Sequence, residues 1–267
     1  MTERIDAEIR TAIAGELAAL EREEGIRVLY ACESGSRAWG FPSRDSDYDV
    51  RFLYIRPVDW YLSIFDKRDV DVIEKPIDDR LDMSGWDLRK ALNLYRKSNP
   101  PLLEWLQSPI VYAEPYRTAE RLRAISPLTF SPKSCMYHYL NMAKGNYRDY
   151  LRGERVRIKK YFYVLRPVLA CEWIERFGEM PPMAFGRLVE TLIPAGGELR
   201  RIVERLLERK MAGDELDDEP RLNPINDYLE ERLAAVERIA ARQPSEGAAL
   251  DDRLDGLFRD TLKEVWG

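Results

Sequence analysis

Gly35-Ser36-Arg37-Ala38-Trp39-Gly40-Phe41-Pro42-Ser43-Arg44-Asp45-Ser46-Asp47-Tyr48-Asp49-Val50 is the stretch from which the fold of this 267-residue chain is read. From Asp47 the residues alternate through Ile55: Tyr48, Val50 and Phe52 point one way, Asp47, Asp49 and Arg51 the other. That period describes a strand with one buried face. Asp47 and Asp49 then project together, with Cα atoms about 7 Å apart. Like charges so placed repel, and each resists ionising beside the other. A divalent cation relieves the conflict; Mg2+ needs one or two carboxylates and completes its shell with water and phosphate oxygens. Upstream, Gly35 lets the backbone approach a phosphate, and neighbouring N–H groups with the Ser36 hydroxyl can donate to anionic oxygens. A short helix opening there would add a favourable dipole. A phosphate-gripping turn ahead of a metal-gripping strand is a layout for nucleoside-triphosphate chemistry. Neither a Gly-Lys-Ser/Thr ending nor GxGxxG is present, which sets aside the Walker and dinucleotide-binding motifs.

Working outward, residues 26–32 (IRVLYAC) read as a strand. A helix precedes it, capped by Thr2, with Ile5, Ile9, Ile13, Leu17 and Leu20 at helical spacing and Gly25 at its end. After Pro57 a short helical segment runs to about Phe65. Two strands follow, Val70–Ile77 and Arg80–Met83, separated by a turn at Pro76–Asp79. From Trp86 the pattern is helical as far as Ser98-Asn99-Pro100-Pro101. Beyond about residue 114 helices are expected over 132–150, 157–177, 195–210, 223–242 and 248–266, with Ile110–Tyr112 as one short strand and the acidic run 213–220 as a linker. The expected fold class is α+β: residues 1–113 form a mixed sheet with flanking helices, residues 114–267 an all-helical domain, with a ligand cleft between.

Composition narrows the chemistry. The chain is 45% hydrophobic and 33% charged, the balance of a soluble globular protein, and its net charge of −5 confines any nucleic-acid contact to a local patch. One histidine, His138, sets aside multi-histidine metal sites and leaves carboxylates, Lys, Arg, Tyr and Ser to act. Cys32, Cys135 and Cys171 are odd in number and far apart, so buried thiols in a reducing cytoplasm are expected rather than disulfides or a Cys3His zinc set. The N-terminal MTERIDAEIR has no apolar core of a signal peptide, and no run of about 18 apolar residues suggests a membrane span. One basic island stands out: residues 144–166 hold eight Lys and Arg against two acids, interleaved with Tyr147, Tyr150, Tyr161, Phe162 and Tyr163, a mixture suited to phosphates and stacked bases. Trp39 and Phe41 are expected to anchor the turn against the core, His138 to be packed, and Arg51 to touch phosphate or to form an internal salt bridge.

Gly-Ser, a spacer of about ten residues and Asp-x-Asp resemble the signature of the DNA polymerase β-like nucleotidyltransferase superfamily. The longer string ESGSRAWGFPSRDSDYDVRF, with SGWDLRKAL and SNPPLLEWLQSPI downstream, is similar to its RNA-repair branch, the RlaP family. The resemblance implies a nucleotidyltransferase: two Mg2+ ions, with Mn2+ as a substitute, and transfer of a nucleoside monophosphate from a triphosphate such as ATP with release of pyrophosphate. Carried over residue by residue, Gly35 and Ser36 match the triphosphate-binding turn, with Arg37 beside it as a further nucleotide contact that could touch phosphate, and Asp47 and Asp49 match the metal-ligating pair. The superfamily's third carboxylate would be Asp82 or Asp71; Asp82 is favoured as the residue closing a strand before a helix at the sheet's edge, while strand phase leaves the choice open. Lys160 and Tyr163 are the expected contacts from a helical domain closing over the nucleotide.

The acceptor this family implies is a hydroxyl at an RNA or tRNA 3′ end. Within the same class the acceptor could instead be a protein side chain or a small molecule. A glycoside hydrolase with paired carboxylates leaves the Gly-Ser turn and basic island unexplained. A non-catalytic nucleotide-binding regulator is opposed by the intact Gly-Ser and Asp-x-Asp set.

Overall fold

The computed structural model describes residues 5–43, 45–65, 71–78, 80–214, 218–243 and 250–267; Thr2, Val70, Asp79 and part of the expected linker, residues 215–217, lie outside them. In chain order the first part is α1 (Ala7–Glu24), β1 (Arg27–Glu33), α2 (Gly35–Trp39), β2 (Tyr48–Ile55), α3 (Val58–Tyr61), β3 (Val72–Asp78), β4 (Leu81–Asp87), α4 (Leu88–Arg96), α5 (Pro100–Leu106), β5 (Val111–Ala113) and α6 (Thr118–Thr129). There follow α7 (Pro132–Tyr150), β6 (Arg155–Arg157), α8 (Lys160–Phe177), α9 (Phe185–Leu192), α10 (Glu198–Ala212), β7 (Asp218–Pro220), α11 (Asn223–Arg242) and α12 (Asp251–Trp266).

Strands β3-β4-β2-β1-β5 make one sheet in that order. It is mixed: β2 runs antiparallel to β1 and parallel to β4. The apolar phase of β2 buries Tyr48, Val50, Phe52 and Tyr54 in a core shared with Ile13, Leu17 and Leu20 of α1. α1 stops where expected, at Gly25 with φ 61.

β4 corrects one boundary. Trp86 and Asp87, expected to be helical, instead continue the strand beyond Met83, because β4 is paired on both sides, to β2 and to β3. Gly85 makes this possible: it is the register partner of Phe52, and a Cβ there would lie 2.1 Å from the Phe52 ring. Asp82 therefore stands near the start of an interior strand, not at the end of an edge strand. Trp86 lies on the same face as Asp82 and stacks on Trp105 of α5, ring centroids 4.0 Å apart. The expected stop at Ser98-Asn99-Pro100-Pro101 ends one helix and opens the next. Asn99 accepts from the Leu102 N–H and Pro100 occupies the first turn, so these residues start a helix.

The chain divides into two compact units, Met1–Ala38 with Asp47–Thr129 and Ala248–Gly267, and Trp39–Ser46 with Phe130–Gly247. In the second, Tyr161 of α8 donates to Asn226 of α11, and the Asn226 amide donates to the Leu151 carbonyl at 2.9 Å after α7. Phe41 is buried there, stacked on Phe162 at 5.0 Å and edge-on to Phe185. The C-terminal region is largely rather than wholly helical: Arg155–Arg157 pairs antiparallel with Asp218–Pro220, so part of the expected linker is strand.

Candidate active site

Asp49 of β2 and Asp82 of β4 are register partners in a parallel pair, which sets their side chains next to each other on one face. Arg51, two residues along, reaches back to both: its Nη2 lies 2.6 Å from Asp82 Oδ2 and 3.3 Å from Asp49 Oδ1, and Nη1 donates to the Asp82 carbonyl at 2.9 Å. The internal salt bridge expected of Arg51 is thus present.

The backbone of Asp49 is clamped as well. Its N–H donates to Glu33 Oε1 at 2.9 Å, and its carbonyl accepts from the Ser34 N–H at 2.8 Å. The next residue, Gly35, opens α2 with φ +58, and a Cβ at that position would lie 1.9 Å from Asp49 Oδ2. Only glycine lets the Gly-Ser turn begin against this carboxylate. Burial pushes the Asp49 carboxyl above its ordinary range; Arg51 opposes the shift, and the nearby charges of Asp82 and Asp47 add to it.

Asp47 is exposed, one residue ahead of β2. Its carbonyl accepts from Arg37 Nε at 3.2 Å, and the Arg37 guanidinium lies 3.9 Å from the centre of the Tyr48 ring. Arg37 is buried, so it braces the turn from beneath, while Ser36 is half-buried on α2. Asp71 is elsewhere: Lys90 pairs with it at 3.0 Å, and its carbonyl accepts from the Asp87 N–H, at the far end of β4 from Asp82. The structure brings Asp82, not Asp71, beside Asp49.

Glu33 was not singled out from the sequence. It is buried, accepting from the Asp49 N–H and the Tyr112 hydroxyl, and burial pushes its carboxyl up to about 7. Its one sequence signal is an acid directly before the Ser-Gly-Ser turn.

In the second unit, Lys160 opens α8 with its ammonium 4.3 Å from the Tyr150 ring centre and 5.0 Å from that of Tyr163. Tyr163 is partly exposed and meets the edge of Trp39. Burial lowers the Lys160 pKa, and Lys159 and Arg157 lower it further.

A family model described as the RNA repair pathway DNA polymerase beta family, RlaP, matches residues 9–260. The chain belongs to the RlaP family. It is accordingly a nucleotidyltransferase of the DNA polymerase β-like superfamily, a transferase-type enzyme. This RlaP-family chain is 51% identical over 258 residues to "Uncharacterized protein YcgL" of Bacillus subtilis (strain 168), covering 97% of this chain and 98% of that one. A crystal structure of a nucleotidyltransferase-like protein from Exiguobacterium sibiricum 255-15 aligns over 97% of this chain and 81% of its own, with 11% identity and a TM-score of 0.32.

Enzymes of the DNA polymerase β-like superfamily typically use divalent metal ions. Among the described residues no three His, Cys, Asp or Glu side chains already close around a metal position. The donor chemistry nevertheless fits a hard cation: Asp49 and Asp82 present oxygens side by side, each about a third exposed, and the repulsion among Asp47, Asp49 and Asp82 is offset in part by Arg51. That is a set for an ion held by one or two carboxylates and completed by phosphate oxygens. No helix among the described residues is long and apolar enough to cross a membrane.

Proposed function

We propose that the chain transfers a nucleoside monophosphate from a nucleoside triphosphate to a hydroxyl at an RNA or tRNA 3′ end and releases pyrophosphate. The observation that carries this reading is the register of Asp49 with Asp82 directly beside the Gly35 turn. The family's RNA-repair description supports RNA as the acceptor. Gly35 and Ser36 receive the triphosphate, with Arg37 holding the turn in shape. Asp47, Asp49 and Asp82 would hold two Mg2+ ions, or Mn2+ in their place. When bound, such ions neutralise charge on the triphosphate and lower the pKa of an attacking hydroxyl.

Asp82 takes or relays the proton leaving the acceptor hydroxyl. For this it must part from Arg51, whose guanidinium is then free to face a phosphate oxygen. Lys160 covers the leaving pyrophosphate and Tyr163 stacks on the base. Residues 1–113 supply the catalytic groups, and residues 114–267 supply the helices that close over the nucleotide. The three buried free thiols support a reducing cytoplasm as the place of work.

The test is incubation with each labelled triphosphate in turn, with Mg2+ or Mn2+, and RNA, protein and small-molecule acceptors in parallel. Label at an RNA 3′ end with release of pyrophosphate is expected. Label found only in protein or only in a small molecule would overturn the acceptor and leave the reaction class standing. Nucleotide binding with no transfer to any acceptor would favour a regulator that kept the fold.

A further inference from the structure

The second unit gathers four cations around an aromatic wall. Arg157 ends β6, Lys159 and Lys160 adjoin it at the start of α8, and Lys210 stands near the end of α10. Lys210 is half-buried, with its ammonium 5.9 Å from the centre of the Phe41 ring. Lys160 lies between Tyr150 and Tyr163, and Tyr163 in turn packs on Trp39. Acids are close at hand but engaged: Arg209, next to Lys210, takes Glu219 at 2.5 Å and Asp214 at 3.2 Å, and Arg155 takes Asp218 at 3.7 Å. Among the described residues Arg157, Lys159, Lys160 and Lys210 have no carboxylate partner.

Such an arrangement strains against itself. Burial first, and then the charge of Lys159, disfavour the charged form of both Lys160 and Lys210; Arg157 adds to the effect at Lys160. Lysine ammoniums on an apolar floor bind phosphate as point charges, and a ligand with several anionic groups in a row would answer several of them at once. We infer that Arg157, Lys159, Lys160 and Lys210 form a receptor for consecutive phosphate groups, with Arg157, Lys159 and Lys210 its members beyond the residues assigned above. The cluster stands on its own geometry; only the source of the phosphates, a nucleoside triphosphate tail or an RNA backbone, rests on the transfer reading.

The experiment titrates the full chain, by calorimetry without metal, with inorganic tripolyphosphate and separately with single-stranded RNA lacking a 5′-triphosphate. Lys159→Gln, at an exposed position, and Lys210→Gln are each expected to weaken binding about tenfold or more. Lys210→Arg should restore most of the loss, and Lys263→Gln on α12 should bind as the parent does. Weakening confined to tripolyphosphate assigns the cluster to the triphosphate tail, and weakening of RNA binding with a shallower salt dependence assigns it to the backbone. Unchanged affinity of both glutamine variants for both probes would overturn the inference. Altered binding in a chain that transfers no nucleotide would instead sink the transfer reading and leave the receptor in place.

Discussion

At Gly35 a missing side chain decides what its neighbour can do. A methyl group there meets the Asp49 carboxylate and must also adopt a left-handed backbone, which costs an L-residue roughly 1–2 kcal/mol. Gly35→Ala is therefore expected to lower stability by at least about that much and to abolish transfer; urea unfolding and a transfer assay check the two effects. Asp82 and Asp71 make a sharper pair. Asp82→Asn should cost roughly 100-fold or more in turnover, the scale of losing a catalytic carboxylate. Asp71→Asn, which loses only the Lys90 pair at a partly exposed site, should stay within a few fold. Single-turnover kinetics on both variants, with folding verified by circular dichroism, separates them. The Gly35 turn and the strand that carries Asp49 were legible in the sequence because their patterns are local, a turn followed by an alternating strand. The pairing of Asp49 with Asp82 was not, since a one-residue shift in the β2–β4 register would have turned Asp82 away. Glu33 stayed hidden because its role is a hydrogen bond to a backbone N–H sixteen residues along the chain.

Asp87 links strand to helix, and its proton belongs to the scale of elements. It ends β4, accepts from the Arg89 N–H at 2.8 Å as the cap of α4, and accepts from the Tyr61 hydroxyl at 2.6 Å. Burial pushes its carboxyl above the ordinary range, against the pull of those two donors. The folded chain thus holds this proton more tightly than the unfolded chain does. The resulting stabilisation is complete below the ordinary aspartate pKa and is lost as pH rises through the raised one. Asp87→Asn keeps an oxygen for the cap and has no proton to lose. The stability of the parent minus that of Asp87→Asn should fall as pH rises through this window, measured by urea unfolding across a pH series. Gly85 sets the neighbouring limit: Gly85→Ala drives a methyl into the Phe52 ring and should cost about 1–3 kcal/mol by overpacking, read from the denaturation midpoint. Element identity was largely legible where periodicity ran long, as in α1 and β2. It failed at Trp86 and Asp87, where two-sided strand pairing outweighed the local pattern, and it passed over the helix that the Asn99-Pro100 start opens.

At the level of the whole molecule, the loss of strand pattern near residue 113 marks a change of secondary structure, whereas the compact units follow burial. α6 and α12 group with the sheet; Tyr61 meets Phe258 at 5.0 Å, and Arg121 pairs with Glu264 at 3.2 Å. No local pattern announces such a grouping, because an amphipathic helix does not say which surface it will cover. The segment Trp39–Ser46 belongs to the helical unit, although it lies between the two stretches that build the carboxylate site. Phe41→Ala should cost about 3–5 kcal/mol, the usual loss for a large core aromatic, and speed hydrogen exchange in α8 and α9. Hydrogen-exchange mass spectrometry reads that directly. The route of the chain also bears on its birth. A ribosome finishes the five strands long before it makes Leu254, Leu257 and Phe258, so the nascent sheet and its helices wait with the faces of α4 and α6 that α12 will cover still bare. Nascent chains stalled ahead of residue 250 should be far better clients of holding chaperones than chains stalled after it.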